Sequence, residues 1–227
     1  MRNKMWILAI CLVLGVASAS ASITGTTSNG GFSDTVDWCQ YGCAGAQLAS
    51  PQTWVSAGAN TGAVGLVGTL QGFYNLQEPT SWNGNFPNGM GLIYNGAAFG
   101  NTPTGIASTF DSGMYGAGAW IQANYYGPYT ATIQLFDSAF QSLGSFSATG
   151  VAGSPGTPGL LFIGAYIGTA DVWAVQFDLT DQFGQEDFSI GTMYLGGQLI
   201  TPEPTSLLLM GPSLLGLLGV ARRRMGR

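Results

Sequence analysis

"DVWAVQFDL", Asp171 to Leu179, is the clearest structural signal in this 227-residue chain. Trp173, Val175, Phe177 and Leu179 fall on one side of an extended backbone, and Ala174, Gln176 and Asp178 on the other. Strict alternation of this kind predicts a half-buried antiparallel strand. Thr130 to Phe136 follows the same rule, with Ala131, Ile133 and Leu135 on the apolar side. Ala117–Tyr125, Leu143–Thr149, Leu160–Ile167 and Phe188–Leu195 read as further strands, and Val151–Gly159 as a loop.

Outward from there the pattern is less regular. Ala63–Leu70 reads as a strand interrupted by Gly65 and Gly68. The passage "SWNGNFPNGMGLIYNGAAFG", Ser81 to Gly100, carries Asn88-Gly89 and Asn95-Gly96, both dipeptides of the hairpin-turn type. Ser50–Trp54 reads as a single helical turn. Glycine is abundant, with 36 residues in the chain. Because each interior glycine costs a helix about 1 kcal/mol relative to alanine, a mainly helical fold is excluded. Aromatic and aliphatic residues are too frequent for disorder. No fixed period appears, which argues against solenoids and propellers. The expectation is one all-β domain over residues 22–200, an antiparallel β-sandwich or barrel.

The two ends differ from this body. Arg2 and Lys4 precede an apolar run, Met5–Val16, and then Ala17-Ser18-Ala19 and Ala19-Ser20-Ala21. That layout predicts a signal peptide over 1–21, cut after Ala19 or Ala21. At the other end Pro202-Glu203-Pro204 leads into the uncharged, leucine-rich Thr205–Ala221, and Arg222, Arg223 and Arg224 follow. As a helix, 205–221 reaches roughly 25 Å, short for a membrane core of about 30 Å. Pro212 weakens its middle. The arginines place the extreme end in the cytoplasm by the positive-inside rule.

The order of Pro202-Glu203-Pro204, a Leu/Gly-rich span and a terminal arginine cluster resembles the PEP-CTERM sorting signal of bacterial exported proteins. The resemblance covers residues 201–227, and Thr201 stands where that family often has valine. It implies recognition by an exosortase-type enzyme in the inner membrane, transient anchoring there, and delivery to the cell surface or extracellular matrix. It further implies association with extracellular polysaccharide or biofilm. From Phe110 to Leu195 the strand pattern also looks like the jelly-roll bodies common in that group. On that likeness "GAWIQANYYGPYTATIQLFDSAFQSLGSFSATG" would be two paired strands, a turn and a third. The last three would be "LFIGAY", "DVWAVQFDL" and "DFSIGTMYL".

Charge narrows the chemistry. All six Lys and Arg lie at the two ends, and the chain has no histidine. The acids of residues 22–200 are Asp34, Asp37, Glu78, Asp111, Asp137, Asp171, Asp178, Asp181, Glu186 and Asp187. Ten acids and no base give this body a formal charge of −10. Nucleic-acid binding lacks its Lys and Arg, nucleophilic triads lack their base, and the usual zinc sites lack histidine. No catalytic residue is assigned, and a non-enzymatic protein is expected. Carboxylate-pair glycosidase chemistry remains as a remote alternative. The triplet Asp111-Ser112-Gly113 resembles that of aspartic proteases, but it has no second copy and reads as a turn.

Three further expectations concern particular residues. Cys39 and Cys43 form one local disulfide in an oxidising compartment. Asp178, Asp181, Glu186 and Asp187 are candidate ligands for a structural calcium ion, the one cofactor considered. Trp38, Trp54, Trp82, Trp120, Tyr125, Tyr126 and Tyr129 supply rings that could stack on sugars, the alternative reading being a carbohydrate-binding module. Trp82, between Ser81 and Asn83, is the leading stacking candidate, and core packing is the competing role for each ring.

Overall fold

The computed structural model describes residues 22–43, 45–68, 71–96, 104–156, 159–184 and 187–196. The expected signal peptide over 1–21, the expected sorting segment over 201–227 with the expected helix 205–221, and Glu186 lie outside the described residues. Among the described residues no helix is long and apolar enough to cross a membrane.

The chain is built of β-strands: β1 (Thr24–Thr26), β2 (Asp34–Val36), β3 (Ala46–Leu48), β4 (Gln52–Val55), β5 (Thr61–Leu66), β6 (Phe73–Gln77) and β7 (Gly91–Tyr94) in the first half. The second half holds β8 (Ile106–Met114), β9 (Gly116–Ala123), β10 (Gly127–Phe136), β11 (Ser142–Ala152), β12 (Leu161–Tyr166), β13 (Val172–Asp181) and β14 (Phe188–Leu195). One sheet runs β1-β12-β9-β14-β7-β6-β3, with β2 also on β14, and the other runs β11-β10-β13-β8-β5-β4. The two antiparallel sheets form a β-sandwich, as expected from the alternating strands.

Facing side chains explain the registers. Ala131, Ile133 and Leu135 of β10 lie opposite Leu179, Phe177 and Val175 of β13, and all six are buried. They meet Ala119, Ile121, Ile163, Met193 and Leu195 from the first sheet in one core. Burying a large aliphatic or aromatic side chain stabilises by about 1.5–3 kcal/mol, so this layer dominates the fold.

Two bulges change which residues face inward. In β13 the register with β8 shifts between Val172 and Ala174, so Val172 is buried and Trp173 only partly so. The expected inward position of Trp173 is therefore corrected: Phe110, Asp111, Ser112 and Gly113 of β8 face Trp173 alone, and this irregular pairing breaks the alternation at the start of β13. In β14 the register with β9 shifts between Ile190 and Met193, which lets Phe188, Ile190, Met193 and Leu195 all face the core.

Other local expectations are also corrected. Ser50–Trp54 holds no helical turn; Gln52–Val55 is a strand, and the 3-10 turn is Trp38–Tyr41, capped by the Asp37 side chain. β9 and β10 are not paired, since the short connection between them carries the chain from one sheet to the other. Asn88-Gly89 sits inside the long 78–90 connection, where the Met90 N–H donates to the Pro87 carbonyl. After Asn95-Gly96 the chain crosses to β8 in the opposite sheet and makes no hairpin. The Asp111-Ser112-Gly113 triplet is no turn but part of the bulged stretch of β8 opposite Trp173. Residues 151 and 152, expected in a loop, extend β11.

The first sheet is covered on its outer face as well. Ile93 of β7 joins the inter-sheet core, whereas its neighbours Leu92 and Tyr94 join a second cluster with Leu76, Trp82 and Phe86. Trp82 and Phe86 come from the 78–90 connection, which folds back over the sheet. A strand buried on both faces loses polar alternation, which is why β7 reads as a plain apolar run. Nearby, Phe162 packs edge-on to Trp120 and Tyr194. It lies over Gly118 and Gly164, where an added Cβ would come 2.6 Å and 2.9 Å from its ring. Part of the glycine content thus makes room for aromatic rings.

β14 also orients the molecule. Its first residue, Phe188, lies beside Ala123, and its last, Leu195, beside Ala117 and Asp34. Seven steps of about 3.3 Å separate these ends by about 23 Å.

Candidate functional site

The 78–90 connection is held by polar contacts at both ends. Glu78 donates its N–H to the Met90 carbonyl, and its own carbonyl accepts from Gly89. Ser81 and Trp82 both donate their N–H groups to the Gln77 carbonyl, and the Ser81 hydroxyl accepts from the Gln77 N–H at 2.8 Å. Buried side chains complete the frame. Glu78 Oε2 accepts from the Gly84 N–H at 2.9 Å, and Gln122 Oε1 accepts from the Asn85 N–H at 3.0 Å. Asn85 Nδ2 donates to the Gly153 carbonyl at 3.0 Å, tying the connection to the turn after β11. Burial raises the Glu78 carboxyl above its ordinary pKa, with the Gly84 N–H opposing the rise.

Two clefts flank this frame. The first, about 350 Å³, lies between the connection and the β9–β10 turn. Trp82, Tyr94 and Tyr126 give it aromatic walls, and Asn83, Gln122 and Asn124 give it amides. Trp82 and Tyr94 rings lie 5.2 Å apart at 55°. Asn124 is oriented by the Asp187 carboxylate, to which its Nδ2 donates at 3.0 Å. The second cleft, about 480 Å³, lies on the other side of the connection, lined by Glu78, Pro79, Asn85, Phe86 and Asn88 with Pro155 and Gly156. Asn83 and Gly84 border both.

The expected stacking residues separate into two groups. Trp38, Trp54 and Tyr129 are core residues, and Trp120 is half-buried. Tyr125 and Tyr126 are exposed, Tyr126 at 58%. Trp82 is not an exposed platform: it retains only 8% of its surface, packed against Phe86 and Tyr94, and forms a cleft wall. Its Nε1 has no hydrogen-bond partner among the described residues. An unpartnered buried donor costs about 1–3 kcal/mol, so this is an unusual place to keep an indole N–H.

Tyr94, Gln122 and Asn124 were not singled out from sequence. The available signal was a glutamine inside the apolar run "GAGAWIQA" of β9; Gln122 is buried and points to the connection.

The three described calcium candidates, Asp178, Asp181 and Asp187, each have a different hydrogen-bond partner. Asp178 accepts from Gln176 Nε2 at 2.8 Å, Asp181 accepts from the Phe183 N–H at 2.8 Å within the turn after β13, and Asp187 serves Asn124. Among the described residues no group of three or more such side chains could hold a metal ion. Cys39 and Cys43 are joined by a disulfide, with Cα atoms 4.8 Å apart, and close the loop after the 3-10 turn.

No family model matches the chain, and no curated protein does. Among solved structures it is similar to the enzymatically active domain of bacteriophage CBA120 tailspike protein 4, at 11% identity and a TM-score of 0.22. The match covers 75% of this chain and 19% of that one, so the chain spans about a fifth of the tailspike's length.

Proposed function

We propose that this is an exported, non-enzymatic surface or matrix protein whose β-sandwich body binds carbohydrate through the Trp82 cleft. The observation that carries the binding half is the lining of that cleft, rings of Trp82, Tyr94 and Tyr126 beside amides of Asn83, Gln122 and Asn124. Sugars present apolar ring faces to aromatics and hydroxyls to amides, and ligand sites combine a mostly apolar wall with a few placed polar groups. The strand order supports the same reading. From β7 to β14 the four-stranded cores are β7-β14-β9-β12 and β8-β13-β10-β11, the arrangement of a jelly roll. Fold alone does not give activity, so the lining residues bear the weight.

The export half rests on Arg2, Lys4 and the apolar run after them, and on Pro202-Glu203-Pro204 with Arg222 to Arg224. On this reading an exosortase-type enzyme processes a protein briefly anchored in the inner membrane, and the body then works within exopolysaccharide. A glycan array probed with the full chain tests binding: retention above background is expected, reduced at least about tenfold by Tyr126→Ala. An array with no retention above background sinks the proposal. Deleting 201–227 is expected to abolish anchoring and processing; unchanged processing would overturn the sorting assignment.

A further inference from the structure

Resting on the carbohydrate-binding reading, we infer that the ligand is an uncharged glycan chain long enough to occupy both clefts, crossing over the Asn83–Gly84 backbone. Three observations lead there.

The first is continuity. Asn83 and Gly84 border both clefts, so the partition between them is a short length of main chain. Residue 84 has no room for a side chain: a Cβ there would run into Trp82 Nε1 and stand 2.8 Å from Gln122 Oε1. The partition is therefore low, and its amide groups are pinned by Glu78 and Gln122.

The second is polarity. The first cleft is lined by rings, amides and the Ser81 hydroxyl, with no carboxylate or basic group. In the second cleft the single acid is Glu78, 4% exposed and already bound to the Gly84 N–H. Asn85 Oδ1, in the same lining, is buried without a partner among the described residues. Such neutral donors and acceptors pair with hydroxyls and acetamides and supply no charge to balance an ionic ligand.

The third is the surrounding charge. Residues 22–200 contain ten acids and no Lys, Arg or His, so a uronate, sulfate or phosphate on the ligand would approach a net-negative body that offers no counter-charge. Like charge at an interface suppresses the wrong partner. The same arrangement makes binding of a neutral chain insensitive to salt, because no ion pair is formed or screened.

The test is calorimetric titration of the full chain in mild detergent at low and high salt. The probes are neutral hexaoses of glucose, mannose and galactose, their disaccharides, and an oligogalacturonate of the same length as the galactose hexaose. At least one neutral hexaose is expected to bind about tenfold or more tighter than its disaccharide, equally at both salts. Asn88→Ala, an exposed change in the second cleft, is expected to weaken the hexaose but not the disaccharide; Tyr126→Ala weakens both. Thermal melting of each variant separates lost contacts from lost fold. Oligogalacturonate binding as tightly as the neutral galactose hexaose overturns the uncharged assignment. A hexaose that binds no tighter than its disaccharide, or is unaffected by Asn88→Ala, overturns the two-cleft span. Both results leave the carbohydrate reading standing, whereas no heat from any sugar, with the protein folded, removes that reading as well.

Discussion

Trp38 Nε1 donates a hydrogen bond to the Gly191 carbonyl at 2.8 Å, joining the 3-10 turn near the start of the body to the bulge in β14. The bulge leaves a carbonyl without a ladder partner, and the buried indole supplies one. Trp38→Phe keeps most of the packing but strands that carbonyl. A loss of about 1–3 kcal/mol in unfolding free energy is expected from urea denaturation. Trp38→Ala adds a cavity and should cost about 3–5 kcal/mol.

Asp34 ties β2 to the β4–β5 turn in the other sheet. Its carboxylate accepts from the Ser56 hydroxyl, from Gly58 N–H at 2.6 Å, from Asn60 Nδ2 at 2.7 Å and from Thr35 N–H at 2.7 Å. Burial pulls its pKa up, but the four donors outweigh burial and hold it below the ordinary value of 3.8. Asp34→Ala should remove about 2 kcal/mol at neutral pH. For the wild type this stabilisation is complete above pH 3.8 and is lost as pH falls through the lower folded value. The gap between wild type and variant should therefore close in strong acid.

Asp178 runs the opposite way. Burial raises its pKa above 3.8, and the Gln176 amide only partly offsets that. The folded chain then binds a proton the unfolded chain has released, so stability falls as pH rises from 3.8 through the raised value. Asp178→Asn keeps an acceptor for Gln176 and should flatten this slope in melting curves taken across the acid range. Glu78, shifted in the same direction, leaves a residual slope.

The Cys39–Cys43 ring is small, so its effect on the unfolded chain is limited to about 2 kcal/mol. A Cys39→Ser, Cys43→Ser double variant should remain folded and lose about that amount in urea titrations. Complete unfolding would show that the ring holds far more than one turn.

Gly84→Ala tests the connection directly. The added methyl runs into Trp82 Nε1 and the Gln122 carboxamide, both held by packing. Overpacking of this kind costs about 1–3 kcal/mol, and indole fluorescence should shift as Trp82 moves.

Legibility in the sequence followed the length and regularity of each strand. β10 was readable because Ala131, Ile133 and Leu135 are apolar in step with the pleat, and β14 because 188–195 is a largely apolar run, although its phase slips at the bulge. β1, β2 and β3 have three residues each, too few to show a period. Trp173 was misphased because a bulge leaves no mark on alternation until its partner strand is known. Trp82 looked exposed between Ser81 and Asn83, yet its burial is decided by Tyr94 and Phe86, which only the folded connection brings to it. The ring proposed for sugar contact is thus a buried cleft wall and not an exposed platform. Tyr126 is the exposed ring of the same lining.

The length of β14 sets a polarity for the whole molecule. Asn124 and Asp187 stand at its Phe188 end, beside the clefts, while Leu195 and the residue after it exit at the other, next to Asp34. Gly196 therefore leaves the sandwich about 23 Å from the rim that carries the clefts. On the proposed C-terminal anchoring, the clefts would lie at the end of the sandwich away from the membrane.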